Sequence, residues 1–165
     1  MILYLMRHGI AIDREDPKCP PDPERYLTKK GMEKTRAAAQ GLRALGIKPD
    51  AMLTSPYVRA VQTAEIAAAS LGFARDRIRR TETLIFGHKP AELFRELPKA
   101  RAKEVMCFGH APHLDEVIAF ALGSRTLLTA LKKAGVACLE LESLSTPKGV
   151  LVWVHTPRSL RILGE

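Results

Sequence analysis

Residues Met1–Met6 (MILYLM) are an unbroken apolar run that stops abruptly at Arg7-His8-Gly9. A run this short, apolar at successive positions and bounded by polar residues, reads as a strand buried on both faces, which calls for helices above and below its sheet. It ends in a cation, an imidazole and a flexible glycine. That ending is suited to presenting one side chain to a phosphate group. A phosphate pocket needs further walls, and the rest of the chain supplies candidates for them.

After Gly9 the segment Asp13–Arg25 carries Pro17, Pro20, Pro21 and Pro23. So many prolines exclude a regular helix or central strand, and the segment reads as a surface loop leading away from the strand end. Thr28 is a plausible N-cap, with Met32, Thr35, Ala39, Leu42 and Leu45 at helical spacing behind it and Gly46 as the stop. Ala51–Thr54 is a short second strand. Ser55-Pro56 then reads as an N-cap and first-turn pair, opening a helix that runs to Leu71 with Arg59 in its first turn. Arg79–Leu84 is a weaker strand containing Glu82, followed by a loop over 85–90 and a short helix over 91–97. Glu104–Phe108 is a third good strand, ending at Gly109-His110, and a helix follows over 113–122. Val136–Glu142 and Gly149–His155 alternate in polarity and form an antiparallel hairpin through Ser143–Lys148. Pro157–Glu165 reads as a surface tail. Alternating strands and helices give one α/β domain over 1–165, a three-layer αβα sandwich with a mostly parallel sheet that the hairpin makes mixed. Ligands of such folds bind beyond the carboxyl ends of the strands.

Composition narrows the class. Hydrophobic content of 46% and charged content of 27% are those of an ordinary globular domain. No apolar run is long enough to span a bilayer, and the first strand lacks the basic flank and small-residue cleavage site of a signal peptide. Cys19, Cys107 and Cys138 are scattered, with neither disulfide nor metal-ligand spacing, which fits a reducing, cytoplasmic setting. The net charge of +8 favours anionic partners. The basic residues are spread along the chain, with only Arg75–Arg80 clustered, so neither nucleic acid nor a membrane is the expected partner. A monomer is the default expectation.

Three sites fall at one edge of the inferred sheet: Arg7 and His8 after the first strand, Arg59 after the second and His110 after the third. Two guanidinium forks match phosphate oxygens. The N-terminus of the helix after Ser55 adds backbone N–H groups and the positive end of a dipole. A neutral imidazole can attack phosphorus and carry the phosphoryl group, and a second histidine can hold one of its oxygens. This chemistry needs no metal, and no cluster of carboxylates suggests one.

Arg7-His8-Gly9, then Thr54–Ala64 (TSPYVRAVQTA), then Gly109–Leu114 (GHAPHL) resemble, in order, the three motifs of the histidine phosphatase (phosphoglycerate mutase-like) superfamily. The likeness covers nearly the whole chain. Its short length and the wording LMRHGIA, polar loop, LTKKG resemble the SixA branch of phosphohistidine phosphatases. The resemblance implies that His8 is the nucleophile, that Arg7, Arg59 and His110 form the phosphate pocket, and that no cofactor is used. Gly9 and Ser55 are further candidates for lining the pocket, although Ser55 reads first as a helix cap. Many relatives use a glutamate ahead of a loop glycine as proton donor, and Glu82 stands before Gly87 in that way. The implied activity is removal of a phosphoryl group from phosphohistidine on a protein, for which a histidine-phosphotransfer domain is the family expectation. The alternatives are a phosphatase of small phosphate monoesters and, in another class, a non-catalytic phosphate-binding module.

Overall fold

The computed structural model describes residues 1–145 and 148–165. Among them, six strands form one sheet in the order β3-β2-β4-β1-β5-β6. The strands are β1 (Ile2–Arg7), β2 (Ala51–Thr54), β3 (Arg79–Arg80), β4 (Glu104–Gly109), β5 (Val136–Ser143) and β6 (Lys148–His155). The first four run parallel; β5 and β6 are antiparallel additions beside β1. The sheet is therefore mixed, and the parallel strands β1, β2 and β4 deliver their carboxyl ends to one edge.

Among the described residues the α-helices are α1 (Lys29–Ala44), α2 (Val58–Leu71), α3 (Pro90–Glu96), α4 (His113–Ala121) and α5 (Pro157–Leu163). Strand alternation decides which helices cover which face. Leu3, Leu5, Val105 and Cys107 point into a core closed by Leu93 of α3 and by Leu114, Val117 and Ile118 of α4. Tyr4, Met6, Met106 and Phe108 point the other way, against Ala38, Ala39 and Leu42 of α1, Ala64, Ala67 and Ala68 of α2, and Leu160 of α5. The alanines let α2 lie close to the sheet, and that holds Arg59 near the strand ends. The result is the expected three-layer α/β sandwich. No helix among the described residues is long and apolar enough to cross a membrane.

Four local expectations change. The strand over 79–84 is only Arg79–Arg80, because the Thr81 hydroxyl accepts the Thr83 N–H and turns Glu82–Leu84 into a 3₁₀ turn. Helix α2 starts at Val58, with Tyr57 rather than Ser55 at its cap position. The tail is a helix, capped by Thr156, whose side chain accepts from the Ser159 N–H, and anchored by buried Leu160. The segment after Gly9 does not leave the site. A bridge between Ala11 and Leu27 closes it into a loop, and Leu27 N–H donates to Gln62 Oε1 of α2 at 2.7 Å. Within the connection between β5 and β6, Thr146 and Pro147 lie outside the described residues.

The packing of α1 explains the glycine after His8. A Cβ on Gly9 would meet Thr35 Oγ1 at 2.3 Å, and one on Gly31 would meet the Ile10 carbonyl oxygen at 2.0 Å. The first turns of α1 therefore lie directly on the chain leaving β1, with no room for a side chain between them.

Candidate active site

His8 follows the last residue of β1, and its N–H donates to the Gly109 carbonyl of β4 at 3.0 Å. The next amide, Gly9 N–H, donates to Thr63 Oγ1 of α2 at 3.0 Å. The backbone carrying His8 is thus tied to the neighbouring strand and to the helix above. The side chain is fixed as well. His8 Nδ1 lies 2.7 Å from Gly9 O, an acceptor only, so Nδ1 carries the proton and Nε2 keeps its lone pair. Toward that lone pair Arg59 donates its Nε–H at 3.3 Å.

His110 stands beside it, the two ring centroids 5.2 Å apart. Its Nε2 meets Ser55 Oγ at 2.8 Å, and the same oxygen accepts the Tyr57 N–H at 3.3 Å. A Ser55 hydroxyl that donates to Nε2 leaves the proton on His110 Nδ1. Tyr57 and Phe86 pack edge-on against the ring at 5.2 and 6.0 Å. Buried His113 accounts for the placing of Phe86's loop, since its Nε2 donates to Thr83 O at 2.8 Å. Arg7 reaches across β5's leading turn, donating from Nη1 to Leu131 O at 2.8 Å.

Arg7, His8, Arg59 and His110 line a single cavity of about 520 Å³, with Arg14, Arg25 and Lys133 as further cations and Asp13 and Glu15 as exposed acids. Two buried nitrogens in its wall have no partner, Arg7 Nε and His110 Nδ1. Buried polar atoms are rarely left so, and these two belong to residues that line the cavity.

The electrostatics follow from burial among cations. Burial pushes the His8 pKa down to about 3, against the opposing hydrogen bond to Gly9, with Arg59, Arg7 and Lys133 adding to the depression. Burial likewise brings His110 down to about 3, helped by His8 and Arg59 and opposed by Asp22. Both imidazoles are neutral at neutral pH, the state a nucleophile requires. Burial lowers the pKa of both arginines, Asp115 opposing it at Arg7 and Asp22 at Arg59.

The structure brings Arg7, His8, Arg59 and His110 together. It places Ser55 behind His110 and Gly9 under α1. Glu82 is not brought in: it begins the 3₁₀ turn after β3, is exposed, and is absent from the cavity wall. Asp22, Arg25 and Lys133 were not singled out by the sequence. Asp22 and Arg25 come from the proline-rich loop and Lys133 from the turn before β5, where Ala134 N–H donates to both Arg7 O and His8 O, at 3.0 and 3.2 Å. No group of three or more His, Cys, Asp or Glu among the described residues is placed to hold a metal.

The chain resembles known proteins. A family model for the histidine phosphatase superfamily (branch 1) matches residues 3–156. An uncharacterized protein of Picosynechococcus sp. (strain ATCC 27264 / PCC 7002 / PR-6) is 40% identical over 167 residues, covering 92% of this chain and 99% of the relative. Among solved structures, the protein histidine phosphatase SixA complexed with tungstate superposes with a TM-score of 0.84 at 23% identity, covering 97% of this chain and 99% of that one. A mutant phosphoserine phosphatase of Entamoeba histolytica, in complex with phosphoserine, gives a TM-score of 0.73 at 17% identity, covering 95% and 98%. At these identities the structural likenesses speak for the fold.

Proposed function

Because the chain belongs to the histidine phosphatase superfamily, we propose that it is a phosphatase that hydrolyses phosphohistidine on a protein through a covalent intermediate at His8. The observation that carries the proposal is the state of His8. Its Nδ1 proton is held by Gly9 O, and its unprotonated Nε2, which accepts a long 3.3 Å hydrogen bond from Arg59 Nε, keeps the lone pair that attacks. His8 Nε2 attacks phosphorus as the bond from phosphorus to the leaving atom breaks. Arg7, Arg59 and His110 hold the oxygens on which charge gathers. Water then attacks the phosphohistidine, its protons stay with phosphate and solvent, and the Nε2 lone pair returns to His8.

The leaving group is the finer part of the proposal. An alkoxide leaving group needs a proton donor, and Glu82 lies outside the cavity. Imidazole, with a pKa of about 6.5, leaves neutral when its other nitrogen is already protonated, so its departure does not depend on Glu82. A protein substrate fits the rim, where Phe86, Arg14 and Lys133 are exposed around the opening. The net charge of +8 favours an acidic protein partner such as a histidine-phosphotransfer domain. A role in signalling within the cytoplasm is part of the same proposal.

The test compares hydrolysis of a phosphohistidine-bearing protein with that of sugar phosphates, for the wild type and for His8→Ala. The expected result is preference for the phosphoprotein, a trapped phospho-enzyme in the wild type, and loss of both turnover and trapping in the variant. Preference for the esters transfers the reading to small monoesters. Phosphoprotein binding without turnover in the wild type makes the chain a binding module.

A further inference from the structure

Arg59 is almost wholly buried, and all three of its guanidinium nitrogens are engaged. Nε points at His8 Nε2, while the far edge belongs to a single residue of the proline-rich loop. Arg59 Nη1 donates to the Asp22 carbonyl oxygen at 2.6 Å, and Nη2 to Asp22 Oδ2 at 3.2 Å. The other carboxylate oxygen, Oδ1, accepts from Arg25 Nη1 at 3.1 Å and from Arg14 Nη2 at 3.2 Å. Arg25 in turn fastens the loop to the chain leaving β1, donating from Nε and Nη2 to Ile12 O at 3.1 and 2.7 Å. The three arginines line the cavity and Asp22 does not. The carboxylate therefore sits behind the cations and gathers them.

We propose that Asp22 is a positioning residue for the reaction: by holding the far edge of the Arg59 guanidinium, it aims the Nε edge at the atom that attacks phosphorus. This rests on the reading of Arg59 as a phosphoryl ligand. A guanidinium is a rigid plane, so pinning two of its nitrogens fixes the direction of the third. Backbone and side chain of one residue supply both pins, and neither alone would set the tilt of the plane. Arg25 and Arg14 hold the carboxylate ionised. Burial works to raise its pKa, but Arg25, Arg59 and Arg14 together keep it below the usual carboxylate range.

The positioning role predicts an unusual kinetic split. Removing a negative charge from behind the cavity makes the cavity more attractive to an anion, so affinity for phosphate should hold or improve. Losing the aim of Arg59 should lower the rate of the chemical step. With p-nitrophenyl phosphate as substrate, Asp22→Ala and the isosteric Asp22→Asn should lose about 10- to 100-fold in kcat, the range that misplacement by about an ångström produces. KM, and inhibition by inorganic phosphate, should stay within about threefold or tighten. On an Arg59→Ala background, Asp22→Ala should cost nothing more, because the two act through one contact.

Retention of kcat in both variants overturns the proposal. So does a rise in kcat with tighter phosphate binding, which would make Asp22 a competitor for Arg59. A lower urea midpoint with unchanged kcat would reduce Asp22 to a staple for the loop. A readout without turnover separates this from failure of the phosphatase reading. In the substrate-free protein the NMR cross-peak of the Arg59 Nε–H should shift or broaden in Asp22→Asn. An unmoved cross-peak overturns the positioning role even if the enzyme is active, and a shifted one sustains it even if no phosphorylated protein proves to be a substrate.

Discussion

Lowering the pH from 6.5 to 4.5 loads protons onto the unfolded chain that His8 and His110 refuse in the folded one. Each imidazole titrates at its ordinary 6.5 when unfolded and is pushed down to about 3 in the structure, chiefly by burial. Between those values the unfolded state binds more protons, so stability falls as pH falls. The stabilisation is fully present above 6.5 and disappears as pH approaches 3. One pKa unit corresponds to about 1.4 kcal/mol, so each histidine should remove about 2–3 kcal/mol between neutral pH and pH 4.5. The perturbation that isolates His8 is His8→Gln, which removes one titrating ring and leaves every other ionisable group. Urea unfolding of both proteins at pH 7 and pH 4.5 gives the four stabilities needed. The wild type should lose about 2–3 kcal/mol more than the variant over that interval, whatever their difference at pH 7. Equal losses would show that His8 protonates freely in the folded protein and would refute the account of a buried, neutral nucleophile. The same state has a kinetic signature. Since kcat/KM reports the free enzyme, its profile on p-nitrophenyl phosphate should contain no limb from His8 protonation between pH 4.5 and 6.5.

Two further outcomes test the site's borders. Glu82→Gln should leave kcat on aryl phosphates within about twofold, as expected of an exposed side chain outside the cavity; steady-state kinetics on a substrate with a poor leaving group checks this most severely. Gly31→Ala should destabilise the fold by about 1–3 kcal/mol, since its Cβ would meet the Ile10 carbonyl oxygen at 2.0 Å. Thermal unfolding reads that loss, and kcat should fall with it because Ile10 is two residues from the nucleophile.

What was legible in the sequence was local. An apolar run followed at once by Arg7-His8-Gly9 encodes both the buried strand and what it presents, and the same is true of Gly109-His110 after β4. Arg59 was legible because one turn of helix fixes its distance from the strand end at Thr54. Asp22 was not legible in this way. Prolines announce the absence of regular structure but say nothing of the course of the chain, and the loop returns to α2 instead of leaving. A signal for that return was present in the apolar residues on either side of the loop, Ile10-Ala11-Ile12 and Tyr26-Leu27, which pair through the Ala11–Leu27 bridge. Thr156-Pro157 likewise carried the cap and first turn of α5, a pattern hidden by the weak amphipathicity of the seven residues behind it. Glu82 was placed in a strand by its neighbours' composition. A threonine side chain competing for the backbone made a turn there instead.

One cause underlies both halves of the chemistry. Arg59, Arg7 and Lys133 each depress the pKa of His8, after burial itself. The same three cations give the cavity its attraction for a phosphoryl dianion. Capture of the substrate and availability of the nucleophile are therefore not separately tunable by surface charge. A substitution that removes one of these cations weakens phosphate binding and also lets His8 protonate more readily, so its effect on kcat/KM should grow as the pH is lowered. Asp22 is the exception that makes the arrangement workable. It neutralises the cations from the far side, without lining the cavity, so Arg14, Arg25 and Arg59 can be held close together while all three still line it. Asp22 thus balances charge from outside a cavity whose own wall carries the exposed carboxylates of Asp13 and Glu15.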